Sequence, residues 1–241
     1  MTRGPATAFL AAAALLFCSV APHEPRIPGP KVILWAWERS EDLRVIDPDT
    51  TGIAYLAATV RLQPDGSFMV RPRLQPLYAP PRAWRTAVVR IETPARHVFP
   101  DASLLSETIA KIAANSRVTA LQIDYDARAS ERPFYRSLLR GLRAASPIPF
   151  GITALASWCD SDAWFAGDPI AEAIPMFFRM GPNESKDMKV RAAACRASVG
   201  LSTDETWPSH LSPGARVYVF SPRAWTKADY DDAICRIGRL R

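Results

Sequence analysis

Short runs of β-branched and apolar residues recur about eight times along the chain, each four to ten residues long and bounded by Gly, Pro or Asp. Runs of this kind are typical of buried strands. Several are followed by segments with helical spacing, and strands that alternate with helices form parallel sheets. Eight such strands favour a closed (β/α)8 TIM-like barrel. The predicted strands are Val32–Glu38, Ile53–Leu62, Thr86–Glu92, Ala120–Asp126, Phe150–Trp158, Ala173–Met180, Val199–Glu205 and Arg216–Ser221.

Apolar periodicity predicts four helices between these strands. Without its leader the chain has about 220 residues, against about 250 for a typical barrel. We therefore expect one side of the barrel to have few helices, because the connections after the second, fifth and seventh strands look helix-poor. The segment Gln63–Leu77 contains Pro64-Asp65-Gly66 and is interpreted as a β-hairpin excursion after the second strand. The helices are predicted at Leu104–Ala114, Pro133–Ala145, Lys186–Ala197 and Ala228–Leu240.

An open doubly wound sheet is the competing architecture. It normally carries a Gly-rich phosphate-binding turn after its first strand. The stretch Trp35–Asp42 contains no Gly, so the barrel is favoured.

The N-terminus indicates export. Arg3 precedes an apolar run, Ala6–Val20, which ends in a small-residue cleavage pattern at Ala21. We therefore predict a signal peptide at residues 1–21, a Pro-rich tether at 22–30 and one barrel domain at 31–241. The run is shorter than the roughly 20 residues that span a bilayer, which disfavours a retained anchor. A lipid anchor at Cys18 is also disfavoured because bulky Phe17 precedes it. The expected location is periplasmic or extracellular.

Three cysteines remain after cleavage, enough for one disulfide in an exported chain. Cys195 and Cys235 are each expected about nine residues into their predicted helices, so a Cys195–Cys235 bond is preferred. Cys159–Cys195 stays open if the fifth strand ends early. No C-x-x-C motif occurs and the three histidines are isolated, so we expect no metal site and no cofactor.

The net charge of +6 makes an anionic partner worth considering. Its arginines are scattered and carry no nucleic-acid recognition motif, so no nucleic-acid partner is expected. Membrane contact is expected only through an N-terminal anchor. A glycan is the expected partner.

Strand alternation places two acids together. In Ala120–Asp126 the apolar side chains occupy one face, whereas Asp124 and Asp126 share the other and point into the barrel at the carboxyl end of the strand. Active sites of barrels gather at that end. The alternative is a structural pair that caps a turn or binds Arg90 or Arg128.

Charged residues end several other predicted strands, where a fully buried parallel strand would normally remain apolar. Asp126 and Glu205 are the preferred catalytic pair, with Asp124 beside them. Arg179 could hold a substrate anion or neutralise the Asp pair. Alternation allows only one of Asp204 and Glu205 to face inward. The substrate-binding candidates among these residues are Glu38, Glu92, Arg179 and Asp204.

Seven tryptophans are many for this length, and indole rings stack on sugars. Trp35 and Trp225 are interpreted as core residues, whereas Trp37, Trp158 and Trp207 are candidates for the pocket. Carboxylates and indoles at a barrel mouth are typical of glycosidases, which use one carboxylic acid and one carboxylate on either side of the scissile bond.

Five segments resemble domain-of-unknown-function family 3142, across nearly all of the mature chain. The resemblance implies an exported, glycosidase-type barrel, but it implies no established activity and no catalytic residues. The segments are Val32–Arg39, Ala120–Arg128 with Ser130–Pro133, Ile152–Cys159, Pro175–Gly181 and Gly200–Glu205.

A narrower resemblance is to chitinase-like barrels, whose fourth strand ends in D-x-D-x-E with the last acid as proton donor. Here Arg128 takes that acid's place after Asp124 and Asp126. The sequence therefore predicts an exported glycosidase-like barrel that acts on an envelope or extracellular glycan. A non-catalytic barrel that binds polysaccharide is the alternative.

Overall fold

The computed structural model describes residues 27–180 and 189–240. The predicted signal peptide, most of the tether and Cys18 lie outside the described residues. In chain order the elements are β1 (Val32–Ala36), β2 (Glu41–Asp42), β3 (Thr51–Leu62), β4 (Phe68–Pro72), β5 (Leu77–Tyr78), β6 (Arg85–Glu92), α1 (Ala102–Asn115), β7 (Ala120–Asp124), α2 (Arg132–Ala145), β8 (Phe150–Leu155), α3 (Ala156–Asp160), β9 (Glu172–Met176), β10 (Ser198–Ser202), β11 (Arg216–Phe220) and α4 (Lys227–Arg239).

Eight parallel strands form a closed barrel with helices outside it, which confirms the predicted α/β, TIM-like barrel. Their order is β1-β11-β10-β9-β8-β7-β6-β3, and β3 returns to pair with β1. Outside the barrel, β4 pairs antiparallel with β3, and the short β2 and β5 pair with each other. Because all eight strands run the same way, their carboxyl ends meet at one rim.

Alternate side chains of each strand fill two separate layers. Inward-facing Ile33, Trp35 and Tyr218 pack in the barrel interior. The outward-facing Leu121 and Ile123 of β7 pack against α1 and α2 in an outer core. Burying a large aliphatic side chain contributes roughly 1.5–3 kcal/mol, so these layers stabilise the barrel from both sides.

The helices cover only part of the barrel wall. They follow β6, β7, β8 and β11, while the connections after β1, β3 and β10 contain no α-helix in the part of the chain that the structure describes. The helix predicted for Lys186–Ala197 is wrong over its described part, which from residue 189 onward contains only a 3-10 turn at Ala193–Cys195. The amides of Arg191 and Ala192 bond to the carbonyl of Cys159 instead, at 2.8 and 3.0 Å. None of the described helices is long and apolar enough to cross a bilayer.

The disulfide joins Cys159 to Cys195, with their Cα atoms 5.9 Å apart. The predicted Cys195–Cys235 bond is wrong, because Cys235 is a free, exposed thiol on α4. The fifth barrel strand ends at Leu155, and the short helix α3 then carries Cys159 into the outer core. Cys195 lies in the 3-10 turn directly after Arg191 and Ala192, whose amides bond to this helix, so the two sulfurs meet there.

Mass mapping of a non-reduced digest should therefore recover a peptide that links Cys159 to Cys195, with Cys235 alkylated in the native protein. Reduction should lower the free energy of unfolding by about 3–4 kcal/mol, because the bond closes a loop over a sequence separation of 36 residues. Recovery of a peptide linking Cys195 to Cys235 would contradict this pairing.

A buried ionic cluster fills the barrel's N-terminal end. The carboxylate of Glu172 accepts bonds from Arg216 at 3.1 and 3.2 Å, from the Tyr218 hydroxyl at 2.5 Å and from Ser198 at 2.5 Å. Arg216 also donates to the backbone carbonyls of Ile27 at 2.6 Å and Pro30 at 3.0 Å. The cluster thus pins the segment before β1 across the bottom of the barrel.

Candidate functional site

A pocket of about 470 Å³ opens at the carboxyl ends of the barrel strands. Asp124 enters it from the end of β7 and Asp126 from the segment just beyond, on the face that the predicted alternation gives them. Thr153 enters it from the neighbouring β8. This is the end of the barrel at which catalytic groups of such folds assemble.

Asp124 is the most perturbed acid of the pocket. Loss of contact with water, reinforced by repulsion from Asp126, raises the pKa of the Asp124 carboxyl to about 6. A hydrogen bond from the Thr153 hydroxyl, at 2.8 Å, and the charge of Arg90 oppose the rise without cancelling it. Asp124 can therefore hold or release a proton near neutral pH, as a general acid must.

Asp126 lies two residues further, past the end of β7, and is exposed at the pocket mouth. Partial removal from water raises the pKa of its carboxyl, and the positive charge of Arg90 opposes this. The two acids thus occupy different environments, which is the condition under which one carboxyl stays protonated while the other ionises.

The loop beyond Asp126 is held by a buried acid. The Glu131 carboxylate accepts the backbone N–H of Arg128 at 2.7 Å and its guanidinium at 2.6 and 2.9 Å. Glu131 is only 1% exposed, so its carboxylate serves to hold this loop. Arg128, which replaces the expected proton donor, is likewise turned towards Glu131.

Aromatic side chains form a connected row along one wall of the pocket. Trp37 follows β1, and its ring meets that of Phe220 edge to face at 6.2 Å. Phe220 stacks on Phe178 at 5.6 Å, and Phe178 contacts Trp35 at 6.1 Å. Trp35 itself is buried, and its indole N–H donates to Gln122 in the barrel interior. We define Trp37, Phe220 and Phe178 as the aromatic row.

Glu205 does not line this pocket with the Asp pair. Its Oε1 accepts the backbone N–H of Arg179 at 2.8 Å. Arg179 has φ +52°, a left-handed conformation that is rare outside Gly, so the bond supports an unfavourable backbone. The Arg179 side chain lines the pocket, whereas neighbouring Asp204 is exposed and accepts a bond from Ser202.

Two further predicted acids lie beside the pocket. Glu92 pairs with Arg61 at 2.9 Å and Arg90 at 3.4 Å, and lines an adjoining cavity together with Asp124 and Asp126. Glu38 accepts hydrogen bonds from the backbone N–H groups of Leu74 and Gln75, at 3.1 and 3.3 Å, so it holds the loop after β4.

The structure brings Trp37 to the pocket but not Trp158 or Trp207. Trp158 is 3% exposed and packs against Trp164 in the outer core. Trp207 is buried too, where its indole donates to the carbonyl of Ser202 at 2.6 Å and the Arg236 guanidinium lies 3.8 Å from its ring.

Several residues that line the pocket were not predicted from the sequence. Thr153 and Phe220 share a strand face with inward-pointing residues of β8 and β11, so the alternation used for Asp124 could have found them. Phe178 follows the end of β9 but lies within the predicted strand Ala173–Met180, on the face of inward-pointing Ile174, so the same alternation could have found it. Arg39 binds Glu41 at 2.6 Å and two carbonyls after β11, which fixes the rim at that point.

The raised pKa of Asp124 predicts a stability effect with a definite sign. The folded protein binds its proton more tightly than the unfolded chain, so stability is lost as pH rises from about 4 to 6. Asp124→Asn keeps an acceptor for Thr153 and removes the charge. The variant should be more stable than wild type by about 2 kcal/mol at pH 7.5 and close to it at pH 4. Urea unfolding at both pH values tests this, and an equal difference at both would contradict it.

The described residues contain no group of three or more His, Cys, Asp or Glu side chains that could hold a metal ion. The groups that line the pocket and can contact a ligand include its two carboxyls, its arginines and its aromatic row. No protein-family model, no curated protein and no solved structure matches this chain.

Proposed function

We propose that the protein is an exported glycosidase-like barrel, which hydrolyses an envelope or extracellular glycan with Asp124 and Asp126. One observation carries the proposal: two carboxyls with unlike environments, one of them with its pKa raised to about 6, share an aromatic-lined pocket at the catalytic end of a closed barrel. Glycoside hydrolysis requires an acid and a base of this kind.

The two environments favour a division of roles. Asp124, protonated below about pH 6, donates its proton to the glycosidic oxygen as the bond to the anomeric carbon breaks. Asp126, exposed to water, takes a proton from the water molecule that attacks the same carbon. The aromatic row offers apolar faces to the sugar rings. Glu205 acts through Arg179 in this scheme.

Export is proposed from the N-terminal sequence and is supported by the disulfide. Disulfides persist in oxidising compartments and are rare in the reducing cytosol. The Cys159–Cys195 bond agrees with a periplasmic or extracellular location. The resemblance to family 3142 implies the same location.

A non-catalytic barrel that binds polysaccharide is the second candidate. The observation in its favour is that Arg128 occupies the place of a proton donor and is engaged with buried Glu131. Glu205, one of the predicted catalytic acids, accepts the backbone N–H of Arg179. The same pocket would then hold a glycan without cleaving it.

The two candidates differ in whether new reducing ends appear. Wild type and Asp126→Asn are incubated with peptidoglycan and a panel of bacterial polysaccharides, with Asp49→Asn as matched control. Asp49 is exposed and lies before the start of β3, at the opposite end of the barrel. Release by wild type and Asp49→Asn, lost in Asp126→Asn, supports hydrolysis. Retention of a glycan by all three without release supports binding alone.

A further inference from the structure

Two guanidinium groups at the pocket have uncommitted donors. Arg179 makes no side-chain hydrogen bond or ion pair with any described residue, and its guanidinium lies 5.5 Å from the ring centre of Phe220. Arg90 lies 5.6 Å from the ring centre of Trp37, and its protein partner among the described residues is Glu92 at 3.4 Å. Arg90 therefore lies at the Trp37 end of the aromatic row, and Arg179 lies beside its middle ring, Phe220.

The third arginine of the pocket behaves differently. Arg39 uses three donors on Glu41 and on the carbonyls of Ser221 and Pro222. Its charge is matched by Glu41, which is fully buried. Arg39 is therefore a structural residue of the rim, whereas Arg90 and Arg179 have donors available to a ligand.

The charge balance of the pocket is positive whenever Asp124 is protonated. The guanidinium groups of Arg90 and Arg179 then outnumber Asp126, the one carboxylate that lines the pocket, and Arg90 also pairs with Glu92 beside the pocket. The charge of Arg90 also opposes the rise in pKa of Asp124 and Asp126, so Arg90 already interacts with both of these acids. The Arg179 side chain forms no ion pair with a described acid, so it is the main candidate to bind a negatively charged group.

The conformation of Arg179 also indicates a site that is held in place. Its backbone is in the left-handed region, and Glu205 accepts its amide N–H at 2.8 Å. Rare backbone conformations of non-glycine residues concentrate at ligand-binding positions. Here the conformation and the Glu205 bond accompany a guanidinium that lines the pocket.

We propose that the pocket is selective for a glycan with negatively charged substituents, whose acidic group binds Arg179, and Arg90 secondarily, while the sugar ring lies on the aromatic row. A guanidinium offers paired donors that match a carboxylate or a sulfate. Aromatic stacking alone would accept neutral sugars equally well, so the arginines supply the selectivity. The inference rests on the proposed glycan-binding pocket and names its substrate class.

The test compares glycans that differ only in charge. Calorimetry measures the binding of hexagalacturonate against its methyl ester, and of dextran sulfate oligomers against uncharged dextran oligomers, at low and high salt. The proteins are wild type, Arg179→Gln, Arg90→Gln and, as control, Arg82→Gln. Arg82 is exposed and lies before the start of β6, away from the pocket.

We expect at least one charged oligomer to bind about tenfold more tightly than its neutral partner. Arg179→Gln should remove most of that preference, Arg90→Gln a smaller part, and Arg82→Gln none. High salt should weaken the preference, because both arginines are solvent-accessible. The pair that shows the preference identifies the acidic group as carboxylate or sulfate.

Equal binding of charged and neutral oligomers, no binding of any of the four, or a preference that survives in Arg179→Gln would overturn the inference. Its failure is distinguishable from failure of the proposed reaction. Hydrolysis of neutral glycans without charge preference leaves the reaction standing and removes the inference. Charge-selective binding through Arg179 without hydrolysis keeps the inference and assigns the pocket to binding.

Discussion

Replacing Arg216 by methionine is expected to lower the free energy of unfolding by about 3–5 kcal/mol. The substitution leaves Glu172 as an unpaired charge inside the barrel, where its side chain is only 5% exposed. It also removes the bonds from Arg216 to the carbonyls of Ile27 and Pro30. Urea unfolding at pH 7, followed by tryptophan fluorescence, measures the loss.

The double variant Arg216→Met with Glu172→Leu separates the charge from the packing. Removing both members of a buried ion pair costs less than removing one, because no uncompensated charge remains. The double variant should therefore recover a substantial part of the lost stability. A single variant within 1 kcal/mol of wild type would show that the cluster does not hold the barrel's lower end as described.

The largest expected effect on activity is that of Asp124→Asn, a loss of about 10²–10⁴-fold in kcat, since an amide cannot donate the proton that the leaving oxygen needs. In wild type the rate should fall as pH rises through about 6, because the Asp124 carboxyl loses its proton there. The residual rate of the variant should lack that descending limb. Initial rates between pH 4 and 8 measure both.

The same substitution should stabilise the fold above pH 6, so an inactive variant cannot be explained by unfolding. An acid whose pKa is raised by burial destabilises the fold once it ionises, and active sites commonly contain destabilising groups of this kind. A descending limb that persists near pH 6 in Asp124→Asn would assign that titration to another group and contradict the role of Asp124.

The eight barrel strands could be predicted because each is short, apolar and bounded by turn residues. Their ends were less predictable. The predicted Phe150–Trp158 continues three residues beyond the observed strand, because Ala156, Ser157 and Trp158 are apolar or small and fit a strand as well as they fit α3. Placing the turn at Leu155 depends on tertiary contacts that single-sequence patterns do not contain.

This boundary error propagated to the disulfide. A strand through Trp158 would put Cys159 at the upper rim, whereas the helix turns it into the outer core, where it meets Cys195. Choosing the Cys159–Cys195 alternative required the position of this one turn. The assignment of Trp158 to the pocket was wrong for another reason, because strand alternation already gives it the outward face of Ile152 and Ala154.

The Asp pair was predictable, and the role of Glu205 was not. Asp124 and Asp126 follow from the two-residue period of a strand, a local property of the sequence. Glu205 meets the amide of Arg179 across 26 positions of the chain, through a left-handed backbone conformation that side-chain patterns do not reveal. The sequence pattern places the acids at one rim of the barrel, but tertiary contacts determine which of them face the pocket.

Release of reducing ends by four matched proteins tests the central claim most directly. Wild type, Asp124→Asn, Asp126→Asn and Asp49→Asn are compared at pH 5.5 and equal folded concentration on the glycan that wild type binds most tightly. We predict release by wild type and Asp49→Asn, and at least a hundredfold loss in the two pocket variants. Equal release by all four proteins, or none by wild type on a glycan that it binds, would contradict hydrolysis by the Asp124 and Asp126 pair.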